Sequence, residues 1–185
     1  MDDRALTLRE RKKRRTRQAL ADVALRRFTE RGFDEVTLEE LVDEVEVSKR
    51  TFFRYYSSKE SVALATEAEL WLSYVAAFAA VEPHGEVLGA LRATLVDTIR
   101  GMDEDWAPRF LATRRLAAGH DGLRKHSLVM AGHHQTQVVE LLEEKLGADS
   151  REDPRLRLLG EVAFGAYRVG AKNWTAGRGR GAGHR

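Results

Sequence analysis

At 185 residues, with 43% hydrophobic and 32% charged side chains, the chain has the composition of an ordinary globular protein, long enough to bury one core or two. The absence of cysteine excludes disulfides and thiolate metal sites. A formal net charge of +2 excludes a polycation, so affinity for an acidic partner must come from where the charges sit. The opening MDDRALTLRERKKRR lacks the apolar core of a signal peptide and no apolar run reaches membrane-spanning length, so a cytoplasmic protein with no membrane partner is expected.

Between Arg9 and Arg17 stand seven basic residues against one acid, Glu10. Such a run suits a solvated tail, an RNA or an anionic membrane. Directly before the motif described next, it is expected to form an arm whose Arg14 and Arg15 reach DNA phosphates or an adjacent minor groove. A first helix is predicted from about Arg15 to Arg31, with Leu20, Val23, Ala24 and Phe28 on one stripe. Gly32 is expected to end it in a left-handed conformation, with Phe33 folding back on Phe28.

The stretch TLEELVDEVEVSKRTFFRYYSSK, Thr37 to Lys59, carries the densest signal. Thr37 and Glu40 form a capping box, and Val36 and Leu41 a hydrophobic staple. Ser48 caps a second short helix after only Val45, Glu46 and Val47, which forces a sharp turn: a helix-turn-helix signature. Val47, Phe52 and Tyr56 anchor its inner side. Lys49, Arg50, Thr51, Phe53, Arg54 and Tyr55 are left for the outer side or the N-terminal end. Charged residues on a short helix also make an ordinary solvated face, but an exposed Phe53 and Tyr55 beside them favour a partner. Arg50, Thr51 and Arg54 have the chemistry to meet base edges, and Lys49, Phe53, Tyr55, Thr37, Ser48 and Lys59 to meet the sugar-phosphate backbone.

Either Ser57 or Ser58 can cap a fourth helix predicted to reach Ala80, with Leu64, Ala68, Trp71, Val75 and Phe78 on one face. Pro83 and Gly85 break the chain. A fifth helix follows (Leu88, Leu91, Leu95, Ile99, Met102), then one over about Arg109 to Ala118, one over Leu123 to Leu146 closed by Gly147, and a last over Arg155 to Thr175. No segment has strand chemistry. The expected fold is all-α: an N-terminal basic arm and three-helix helix-turn-helix domain over 1–57, a helical ligand-binding and dimerisation domain over 58–176, and a disordered basic glycine-rich tail over 177–185.

No Gly-x-Ser-x-Gly, phosphate loop or metal-spaced histidine motif is present, and His126, Met130 and His133 make a poor ligand set without a carboxylate or thiolate. No enzyme, metal or cofactor is expected.

FTERGFDEVTLEELVDEVEVSKRTFFRYYSSKE resembles the DNA-binding segment of TetR-family transcriptional regulators, a likeness covering about Thr16 to Leu64. It supports Thr37, Ser48, Thr51, Tyr55 and Lys59 as DNA-contacting positions and favours Ser58 as the cap. Two departures stand out. Glu46 occupies a turn position usually held by glycine, where positive φ is needed, and Phe53 replaces the commoner tyrosine. The resemblance implies a homodimer built from the last two helices and bound to double-stranded DNA at a near-palindromic site, with interface positions Leu128, Gln135, Val138, Leu142, Leu159, Ala163, Ala166, Gly170 and Trp174. It also implies a small-molecule effector held among Trp71, Tyr74, Phe78, Trp106, Phe110, Arg114, Met130, His133, Phe164 and Tyr167, each of which also serves as plain core. The carboxyl-terminal half is similar to regulators of the mycofactocin type, which would make an acyl-coenzyme A the effector. A ligand-responsive repressor is the expected function. The alternatives are a constitutive, ligand-free DNA-binding protein, and a carrier or enzyme that keeps an unused helix-turn-helix.

Overall fold

The computed structural model describes residues 7–83 and 85–177. Of the tail assigned to 177–185, all but Gly177 lies outside the described residues, as does the start of the arm before Thr7. Among the described residues every regular element is helical: α1 (Leu8–Arg31), α2 (Leu38–Glu44), α3 (Lys49–Phe53), α4 (Lys59–Ala63), α5 (Ala65–Ala79), α6 (Val87–Arg100), α7 (Trp106–Ala118), α8 (Asp121–Leu146) and α9 (Pro154–Thr175). The described residues divide into two compact units, one within 7–66 and 108–126, the other within 67–107 and 127–177. The passage between them falls after Thr66, where the sequence placed it at 57/58, because Val62, Ala63 and Leu64 are buried together with α1 residues in the first core.

In the first unit, Leu20, Ala24 and Phe28 of α1 meet Val36, Leu41, Phe52 and Leu64, all at 1% exposure or less. Each of the larger side chains contributes roughly 1.5–3 kcal/mol on burial, which is how a core this small holds a fixed shape. The α1 helix begins seven residues earlier than the apolar stripe predicts. Thr7 caps it with a complete capping box: the Glu10 amide donates to Thr7 Oγ1 at 3.2 Å, and the Thr7 amide to the Glu10 carboxylate at 2.9 Å. Arginine and lysine are good helix formers, so the capped run continues as helix despite having nothing to bury. Residues 8–17 are therefore a helical extension and not an extended arm. At the other end Gly32 has φ 94° and ψ 153°, a region open essentially to glycine alone. The expected positive φ holds, but the chain leaves extended instead of closing left-handed, and Phe28 and Phe33 still pack at 5.0 Å.

The predicted fourth helix is broken at Leu64, whose φ and ψ of −102° and 15° leave the helical well. One non-helical residue lets α4 keep its inward face for the first core while α5 turns Trp71, Tyr74 and Phe78 into the second.

The second core gathers Trp71, Tyr74, Phe78, Leu91, Ala131, Val138, Val139, Leu142, Leu156 and Phe164. Val138 and Leu142 are fully buried there, so they are core residues and not dimer positions. Leu159 and Ala163 pack against the same cluster, and Trp174 lies 6.3 Å from Trp106 within the chain. The register of α9 explains the shift: Gly160 faces α8 so closely that an added Cβ would sit 2.9 Å from Val139 Cγ2. Residues on that side of α9 are consumed by the monomer.

Candidate nucleic-acid interface

The reading surface is assembled from caps. Thr37 starts α2: the Glu40 amide donates to Thr37 Oγ1 at 3.2 Å, and the Thr37 amide to the Glu40 carboxylate at 2.7 Å. Arg31 reaches from α1 to the same carboxylate at 2.6 Å, and Arg26 and Arg27 both pair with Glu44, clamping α2 onto α1. Bonds from the Thr37 amide first and Arg31 second hold the Glu40 carboxyl at about 2.

The sharp turn that follows is a Schellman motif. The Val47 amide donates to Val42 O at 2.9 Å and the Glu46 amide to Asp43 O at 3.1 Å. Glu46 is the one non-glycine residue with positive φ among the described residues, at 55°. Glutamate thus adopts the conformation a glycine would supply, and the turn keeps its shape.

Ser48 caps α3, accepting from the Thr51 amide at 3.1 Å. Inside, Phe52 and Tyr56 are buried, and the Tyr56 hydroxyl donates to Arg17 O at 3.0 Å, tying the end of the reading segment to α1. Outside, Lys49, Arg50 and Arg54 are exposed, Phe53 is 54% exposed, and Thr51 and Tyr55 are half-buried. Phe53 stands edge-on to Phe52 at 5.4 Å, which fixes its ring. Arg54 donates to the Tyr55 hydroxyl at 3.1 Å and lies over its ring at 5.0 Å. Lys49 is paired with Glu39, and that bond is the first cause holding the Glu39 carboxyl below its usual range. The helix has a single complete turn of regular structure, shorter than the spacing implied.

Lys59 is placed differently from expectation. Its ammonium donates to Phe33 O at 2.7 Å and Val36 O at 2.8 Å and lies 4.2 Å from the centre of the Phe33 ring. It holds the turn between α1 and α2, which leaves one N–H for any other acceptor. On α1, Arg14 and Arg15 are exposed in helix. The Thr7-x-x-Glu10 box was the sequence signal that could have revealed that helix.

Of the effector candidates in the second unit, Trp71, Tyr74, Phe78 and Phe164 are buried with Met130 and Tyr167 packed against them. Trp71 stacks on Phe164 at 4.7 Å and its buried Nε1–H has no acceptor. Burial pushes the Tyr74 phenol up, and its hydroxyl donates to Leu91 O at 3.3 Å. Trp106 is buried against Trp174. His133 is exposed and does not join this cluster. The inward histidine is its neighbour His134, 6% exposed, stacked on Trp71 at 6.3 Å, with burial first among the causes lowering its pKa. Phe110 and Arg114 belong to the other unit. Among the described residues no cluster of three metal-ligating side chains occurs, and no helix is long and apolar enough to cross a membrane.

Of the expected interface positions, Leu128, Ala166 and Gly170 are exposed, and beside them α8 and α9 expose large apolar residues that were not expected there. Leu128 and Val129 of α8 are 56% and 74% exposed, and Leu158, Val162 and Val169 of α9 are 61%, 49% and 62% exposed. Ala166, Gly132 and Gly170 are also exposed, and a Cβ added to either glycine would meet nothing within 4 Å. Gln135 donates to Glu161 at 2.8 Å across the two helices.

A capped helix pair with a Schellman turn, offering arginines and a fixed aromatic ring outward, defines a helix-turn-helix DNA-binding protein. Residues 20–66 match the family described as bacterial regulatory proteins, tetR family. The HTH-type transcriptional regulator TcmR of Streptomyces glaucescens is 32% identical over 176 residues, covering 90% of this chain and 76% of that one. Among solved structures, the reduced form of E. coli NemR aligns over 89% of this chain and 95% of its own at 18% identity and a TM-score of 0.39. The chain belongs to the TetR family and is a DNA-binding transcriptional regulator.

Proposed function

We infer that the protein is an effector-responsive repressor that binds a near-palindromic operator as a homodimer. The observation that carries this reading is the exposed apolar stripe of α8 and α9. Five large apolar side chains, with small residues between them, form a surface that a monomer has no reason to keep in water. A two-fold pairing through the stripe builds a four-helix bundle and presents two copies of α3 to one duplex. Half-sites then fall about one helical turn, or a multiple of it, apart.

On each half-site Arg50, Thr51 and Arg54 face base edges, and Lys49, Phe53, Tyr55, Thr37 and Ser48 face the backbone. Arg14 and Arg15, held in a rigid helix, meet phosphates flanking the half-site and do not thread a groove. The effector reading rests on the buried, unsatisfied Trp71 Nε1–H, a donor that native interiors rarely leave without a partner. A ligand shifts operator affinity only by its differential affinity for the two DNA-binding states. Selection of bound duplexes from a random pool, with sedimentation of the complex, tests the proposal. A two-fold site bound by two chains is expected, with release by a ligand of the aromatic cluster, acyl-coenzyme A being the first compound to try. An asymmetric site bound by a single chain would overturn the homodimer.

A further inference from the structure

The turn between α1 and α2 is gripped from two directions, and only one of them is explained by the folding of the reading head. Lys59 secures its carbonyls from α4. The second grip comes from His120, 86 residues beyond Asp34 in sequence and within the same compact unit. His120 is the residue before α8. The Leu123 amide donates to its Nδ1 at 3.2 Å, so the imidazole acts as the N-terminal cap of that helix. With Nδ1 accepting, the ring proton stands on Nε2, which lies 3.1 Å from Asp34 Oδ1. The ring also packs edge-on to Phe33 at 4.7 Å, the same ring that carries the Lys59 ammonium on another side. Gly122 makes room for it, since a Cβ there would approach His120 Cε1 to 2.9 Å.

One imidazole therefore does two unrelated things at once. It caps the 26-residue helix whose remaining residues, from Ser127, belong to the second unit, and it bonds the turn that leads directly into the Thr37 cap of α2. A cap alone needs no Asp34, and Asp34 is 77% exposed and contributes nothing to the core. We propose that His120 is a positioning residue through which α8 and the DNA-reading helices report to each other: DNA engaged by α2 and α3 is registered at the first turn of α8, and by reciprocity the state of α8 sets the posture of the reading head.

The test uses the full chain, a duplex obtained by selection, and hydrogen exchange of the segment 121–127. In the unsubstituted protein, saturation with the duplex should slow exchange there about fivefold or more, the lower end of ordinary coupling between sites. Asp34→Ala removes the acceptor from the turn. His120→Asn keeps a cap of the best type but is too short to reach Asp34. Both variants should keep the duplex-free exchange of the segment and bind the duplex within about threefold of the parent, a change of under one kcal/mol, while the duplex-induced slowing falls to the level seen with an unrelated duplex. The double variant should add no further loss. Slowing that persists in either variant would overturn the proposal, as would its absence in the parent. Loss of duplex binding itself would also overturn it, by placing the pair in the contact surface.

Discussion

Arg50 stands at the second position of α3, exposed, with no ion pair among the described residues. Lys49 beside it is tied to Glu39 and Arg54 to Tyr55, so of these three cations Arg50 is the least committed. Replacing it with alanine should cost about 1–3 kcal/mol on the selected site and relax one base position, measured by titrating a panel of single-base variants. Uniform weakening across the panel would make it a backbone contact instead. Glu40 permits a prediction of a different kind. Its carboxyl titrates at about 2 in the folded chain against an ordinary 4.5, so its stabilising effect is complete above 4.5 and is lost as pH falls from 4.5 toward 2. Glu40→Gln keeps an acceptor for the Thr37 amide but has no charge to lose. Urea midpoints of parent and variant should therefore converge on acidification through that window. A constant gap would show that Arg31 and the cap do not sense the charge.

At the scale of elements, the α2–α3 turn is where one residue works against its own conformational preference. A left-handed backbone costs a non-glycine residue roughly 1–2 kcal/mol, whereas glycine loses about 0.5–1 kcal/mol in unfolded-state entropy. Glu46→Gly should therefore raise stability by about 0.5–1 kcal/mol, seen as a higher urea midpoint with unchanged slope and unchanged duplex preference. A lower midpoint would mean that the glutamate side chain makes a contact stronger than the strain. This turn, its flanking caps Thr37 and Ser48, and the inner anchors Phe52 and Tyr56 were all legible in the sequence, because capping and local spacing are written within a few residues. Three features were not. The start of α1 was hidden because an arginine-rich helix with nothing to bury has no stripe, and only its capping box marks it. The stripe on α9 was read one position around the helix, since Leu158 and Leu159, and Val162 and Ala163, are adjacent apolar pairs. Sequence alone does not say which of each pair meets Val139 and which meets solvent. Lys59 failed for a related reason: a lysine at a helix start looks available until the carbonyls of Phe33 and Val36 are seen to surround it.

For the whole molecule, the decisive question is what covers the α8–α9 stripe. Val162 is one of its α9 residues and is 49% exposed in the single chain, so glutamate there leaves each monomer able to solvate the charge and keep its fold. In a two-fold pairing the same change acts twice and buries two like charges close to one axis. An uncompensated charge inside an interface costs roughly 2–5 kcal/mol, a weakening of about 30- to 4,000-fold that carries a micromolar association beyond detection at ordinary concentrations. Val162→Glu should therefore sediment as a folded monomer with the helical content of the parent. It should bind a half-site as the parent does, but lose the added affinity of the full two-fold site. By contrast Val138→Ala, a truncation in the second core, should lower stability while leaving association intact. If Val162→Glu still sediments as a dimer, the stripe faces some other partner, and the paired presentation of Arg50 and Arg54 must arise from a different surface.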